Sequence, residues 1–86
     1  MEVVLEREAA KYLAKTNEPL KSRLGAALKA LGDDPPKGDI KPLTGYDNHY
    51  RVRVGDYRIA YSISAQKVVV HDIAPRGQVY KGGRKR

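Results

Sequence analysis

The chain has no cysteine, tryptophan or phenylalanine, and its 86 residues include one methionine and two histidines, His49 and His71. Without cysteine it can form no disulfide, thiolate metal site or thiol nucleophile. Two histidines do not make a metal site, and no spacing of carboxylates completes one. No metal and no cofactor are therefore expected. Long apolar runs are also missing: none approaches the roughly 20 residues of a membrane-crossing helix. The opening Met1-Glu2-Val3-Val4-Leu5-Glu6-Arg7 lacks the basic-then-apolar order of a signal peptide. The expectation is a cytoplasmic protein with no membrane partner, and a length that suits one small domain with a thin core.

Acid is the scarcer charge, with 10 Asp and Glu against 17 Lys and Arg, for a net of +7. Lys81, Arg84, Lys85 and Arg86 fall in the last six positions, and setting those four aside leaves 13 against 10, or +3. The body, residues 1–80, is thus mildly basic, and the position of its arginines matters more than their number. The basic tail, residues 81–86, is either a solvated end or a nucleic-acid contact, with Lys81 as its candidate residue.

What is present in strength is strand period. Tyr50-Arg51-Val52-Arg53-Val54 and Tyr57-Arg58-Ile59-Ala60-Tyr61 alternate, and Gly55-Asp56 between them suits a two-residue hairpin turn. That loop pairs 54 with 57, 53 with 58, 52 with 59 and 50 with 61. One face then carries Tyr50, Val52, Val54, Tyr57, Ile59 and Tyr61 towards a core. The other carries Arg51, Arg53 and Arg58, with Arg53 across from Arg58. Like charges placed opposite each other in a ladder repel, and no acid on that face of the two strands offsets them. Such a face is arranged to meet an anion, and phosphate fits best; the bland alternative is a solvated outer sheet face.

Upstream, Val3-Val4-Leu5 reads as a short strand. Leu5, Ala9, Tyr12, Leu13 and Thr16 then recur at helical spacing, and Pro19 suits the start of a second helix carrying Leu20, Leu24, Ala27, Leu28 and Leu31. Gly32 ends it. Residues 33–48 read as a long connection in which Ile40 and Leu43 fold back as apolar anchors. After a turn at Ser64-Ala65-Gln66, Lys67–Ala74 reads as a valine-rich interior strand. The order predicts an α+β domain, βααβββ: an N-terminal strand, then an antiparallel helical hairpin on one face of an antiparallel-dominated sheet of about four strands.

Arginine binds phosphate and stabilises charge developing on it, but it cannot serve as a base. Two residues compete for that role. Tyr80, if it stands near the arginines, would have its phenolate favoured by their charge, although it could equally pack the last segment onto the sheet. With Ala65-Gln66 as the turn, His71 falls opposite Ala60 on the arginine face, although a histidine in a valine-rich strand is commonly structural. His49 lies at the rim of that face as a substrate contact. The face has no carboxylate cluster for magnesium, so RNA cut here would be cleaved by its own 2′-hydroxyl, with Arg76 or water protonating the leaving oxygen. Without Trp or Phe as stacking platforms, a larger assembly would have to position the RNA.

The hairpin run 50–61, with Arg76-Gly77-Gln78-Val79-Tyr80 and the upstream Ile40-Lys41-Pro42-Leu43-Thr44-Gly45, resembles the RelE/ParE superfamily of bacterial and archaeal toxins. The resemblance covers nearly the whole chain except the tail. It implies a type II toxin–antitoxin module, an antitoxin partner that covers the active face, and, in the RelE branch, an mRNA endonuclease acting in the ribosomal decoding site. Arg51 and Arg53 match strand positions that are basic in the nuclease branch, often lysines. Arg58 matches the transition-state arginine, Arg76 the basic residue before the last segment, and Tyr80 the C-terminal tyrosine proposed as a base. Arginine at 51 and 53 removes a titratable lysine and shifts weight to Tyr80 or His71. The ParE branch shares the fold but poisons DNA gyrase; a non-catalytic module docking its basic face is a third reading.

Overall fold

The computed structural model describes residues 1–76. Its order is β1 (Glu2–Leu5), α1 (Arg7–Lys15), α2 (Leu20–Leu31), β2 (Asp39–Pro42), β3 (His49–Val54), β4 (Tyr57–Ser64) and β5 (Lys67–Pro75). One mixed sheet runs β1-β5-β4-β3-β2, with β1 parallel to β5 and the other neighbours antiparallel. The α+β class and element order agree with the sequence reading, but the sheet has five strands where about four were expected. The extra strand is β2, inside what read as a connection. It sits at the sheet edge, where Pro42 is tolerated because an edge residue need not donate to a second neighbour. Ile40 is the anchor expected, opposite Val52 and packed against the core.

The helices cover the sheet face opposite the arginines. Ala9 of α1 and Leu24, Leu28 and Leu31 of α2 join Val52, Ile59, Tyr61, Val68, Val70 and Ile73 in one buried cluster. Burying a side chain such as Leu24 or Ile59 is worth about 1.5–3 kcal/mol, so these few contacts carry much of a small domain's stability. Glu8 in the first turn of α1 and Lys15 in its last complement the helix dipole. The Glu18 carboxylate accepts from the Ser22 backbone N–H at 3.0 Å in the first turn of α2, and hydrogen bonding by the Ser22 side chain first, then by that N–H, holds its pKa below the usual carboxylate value. Gly32 ends α2 as expected, for a reason the sequence does not show: its φ is −78°, an ordinary value. A Cβ there would stand 3.0 Å from the Met1 carbonyl and 3.3 Å from Val3 Cγ2, so any larger residue would have to push the start of the chain aside by a few tenths of an ångström.

Candidate functional site

The hairpin forms in the expected register: Val54 opposite Tyr57, Arg53 opposite Arg58, Val52 opposite Ile59, Tyr50 opposite Tyr61. Gly55, at φ +61°, takes the first central position of the turn, which favours glycine. Arg76 joins the face through its backbone, whose N–H donates to the Asp56 carbonyl at 2.7 Å. Four guanidiniums therefore gather at the turn end of the sheet. They are not equivalent. Arg53 Nε donates to Asp39 Oδ2 at 3.0 Å, and Arg51 Nη1 reaches the Asp39 carbonyl at 3.4 Å. Arg58 has no such partner: among the described residues its Nη1 is shielded from solvent and makes no hydrogen bond. Loss of solvation first, and then the charges of Arg51, Arg53 and Arg76, lower its pKa, with Asp39 opposing. Arginine remains charged despite such a shift, so Arg58 is a preorganised cation whose charge is poorly compensated.

A second cluster lies farther along the same face. The β4–β5 ladder shifts register between Ala60 and Tyr61, so Tyr61 pairs with Val70 and Ala60 with Asp72. His71 is the bulged residue and does not sit opposite Ala60, as a regular ladder would have it; bulges re-aim side chains in this way. It nonetheless joins the arginine face. One ring nitrogen, Nε2, lies 2.8 Å from Ser62 Oγ, and the other, Nδ1, lies 2.9 Å from Glu6 Oε1. The ring also stacks on His49, with centroids 5.4 Å apart and planes at 16°. His49 Nδ1 donates to the Asp47 carbonyl at 2.8 Å, and Tyr46 lies against its ring with centroids 5.6 Å apart. A polar aromatic surface thus occupies the place where the sequence, lacking Trp and Phe, promised none.

The fold therefore brings Arg51, Arg53, Arg58 and Arg76 together and stacks His49 on His71 at the far end of the same face. Tyr80 and Lys81 lie outside the described residues. Sequence reasoning missed Asp39, Glu6 and Ser62, each of which reaches the site across long-range pairing. It also missed Arg23 of α2, whose Nη2 would stand 2.6 Å from a Cβ at Gly55 and so lies over the hairpin turn. Only Asp39 left a signal, as an acid shortly before the motif at 40–45. Two concavities, of about 380 Å³ (beside Tyr12, Leu20 and Tyr57) and about 370 Å³ (beside Pro35, Ile40 and Tyr50), are lined without any arginine. Among the described residues no three His, Cys, Asp or Glu side chains are grouped to hold a metal ion, and no helix is long and apolar enough to cross a membrane.

The chain belongs to the family described as the ParE toxin of the type II toxin–antitoxin system parDE, whose model matches residues 3–80. Toxin RelE3 of Methanocaldococcus jannaschii is 39% identical over 44 residues, which are 51% of this chain and 50% of that protein, so the chain matches about half the length of that relative. The archaeal RelE–RelB complex from Pyrococcus horikoshii OT3 is similar at a TM-score of 0.74 and 26% identity, covering 90% of this chain and 96% of that one. The isolated E. coli RelE toxin shares the fold at a TM-score of 0.75 and 18% identity, covering 87% and 83% of the two chains. Together these define a RelE-like toxin of a type II toxin–antitoxin module.

Proposed function

We propose that this toxin is a ribosome-dependent endoribonuclease, cutting mRNA in the decoding site and so stopping translation in the cytoplasm. The observation that carries this reading is Arg58, a cation whose solvent-shielded Nη1 makes no hydrogen bond among the described residues and stands near three other guanidiniums. Such a group is suited to the extra charge that appears on a phosphate in its transition state. Arg51 and Arg53 grip the phosphate, with Asp39 fixing the angle of Arg53. The ribose 2′-hydroxyl attacks its own phosphate in line, leaving a 2′,3′-cyclic phosphate and a 5′-hydroxyl. Charge stabilisation comes from guanidiniums on this face, and no step is assigned to a metal. Arg76 or water protonates the leaving oxygen, while His49 and Lys81 contact the RNA. The proton acceptor is Tyr80 or His71. The ribosome supplies the positioning that a small sheet face lacks. A single domain over residues 1–80 carries the activity, followed by the basic tail at 81–86.

A cognate antitoxin completes the module; similarity to RelE chains found in complex with RelB supports this partner. The ParE description of the matching family supports a second reading, a gyrase poison on the same fold. Expression in growing cells separates them. The nuclease loses toxicity on Arg58→Ala while remaining folded. A gyrase poison tolerates that substitution and induces the DNA-damage response. A non-toxic wild-type protein would overturn both readings and leave a binding module.

A further inference from the structure

We infer that Glu6, His71 and Ser62 form a proton relay that takes the 2′-hydroxyl proton during cleavage, which makes His71 and not Tyr80 the acceptor. The inference rests on the endonuclease reading. The directions of the two bonds follow from the chemistry of the groups. A carboxylate only accepts, so His71 Nδ1 carries the hydrogen and donates to Glu6; in the neutral ring Nε2 then accepts from the Ser62 hydroxyl. A hydroxyl bonded to a base that is itself oriented by a third group is the arrangement that activates an oxygen for proton transfer.

Three features hold it in place. The bulge inserts His71 as the extra residue of β5 and turns its ring towards Ser62. The backbone N–H of Glu6 donates to the Val70 carbonyl at 2.9 Å, anchoring the carboxylate one residue from the histidine it orients. His49 stacks on the ring and limits its tilt. The relay also adjoins the arginines. Ala60, fully buried, lies opposite Arg51 on the same face. Arg58 and Ser62 flank it along β4, each about 7 Å away at two residues' rise. A phosphate held on this face between Arg58 and Ser62 thus has arginine on one side and the Ser62 hydroxyl on the other.

In the step, the 2′-hydroxyl gives its proton to Ser62 Oγ as the Ser62 proton passes to His71 Nε2, and Glu6 balances the imidazolium. The 2′-oxygen bonds to phosphorus. The bond to the 5′-oxygen breaks, its electron pair leaves with that oxygen, and water protonates it. His71 then returns its proton to solvent, so atoms and charge balance with no co-reactant.

Single-turnover cleavage on mRNA-programmed ribosomes by the full chain tests this, with His71→Ala and Glu6→Gln beside wild type. The expected result is a loss of about 10²-fold or more for His71→Ala, the scale of a missing general base. Added imidazole should restore part of that loss, ribosome binding should be unchanged, and Glu6→Gln should cause a smaller loss. If His71→Ala melts early, His71→Gln replaces it. Wild-type rates for the His71 variants, or a loss that imidazole does not restore, overturn the relay while leaving the endonuclease reading intact. A wild-type protein that cuts nothing overturns both.

Discussion

Arg58 sits where function and stability oppose each other: the like charges that prepare it for phosphate also work against the folded sheet. Arg58→Ala should therefore melt at the same temperature as wild type or higher, as read by circular dichroism. A large drop would make the arginine structural. Tyr61 acts at the other extreme. Loss of solvation, then the neighbouring Tyr50, pushes its pKa up to about 12 from 10. Its folded pKa lies above the unfolded one, so its contribution is fully present below pH 10 and is lost as pH rises towards 12. Denaturant midpoints should fall over that window, and Tyr61→Phe should flatten the fall; an unchanged slope would remove Tyr61 as the cause. The arginine face was legible in the sequence because strand period assigns alternate residues to one side. Asp39 as the partner of Arg53 was not, because that contact spans 14 residues.

At the scale of elements, both turns next to β4 were legible, but they solve the same problem unequally. Gly55 takes its positive φ without penalty, whereas Ala65 and Gln66 adopt φ of 50° and 67° with side chains that disfavour it. Asn-Gly is the pair such a turn prefers. The double substitution Ala65→Asn, Gln66→Gly should therefore stabilise the domain by about 1 kcal/mol, raising Tm by roughly 4–8 °C for a chain of this size. An unchanged or lower Tm would contradict it. The fifth strand escaped notice because four residues ending in proline carry no periodic signal, and their partner β3 selects them. The bulge at His71 escaped for a related reason. Its residues read as regular strand, and only the pairing with β4 and the hydrogen bonds to Ser62 and Glu6 show the extra residue.

For the whole molecule, composition and element order were enough to predict two helices on one sheet face and the arginines on the other. The sequence could not yield the joining of distant segments into one site: the start of α1 through Glu6, β2 through Asp39, and β5 through His71. Those contacts depend on the parallel β1–β5 pairing and the edge position of β2, which only the assembled sheet defines. The most direct measurement is primer extension on a reporter mRNA in a reconstituted translation system, with naked RNA and Arg58→Ala protein as controls. New stops on translated message alone, lost with Arg58→Ala, are the predicted result; by the scale of one removed charge donor the loss should be about 10²-fold or more. Message left intact by the wild-type toxin on translating ribosomes would contradict an endonuclease on this face.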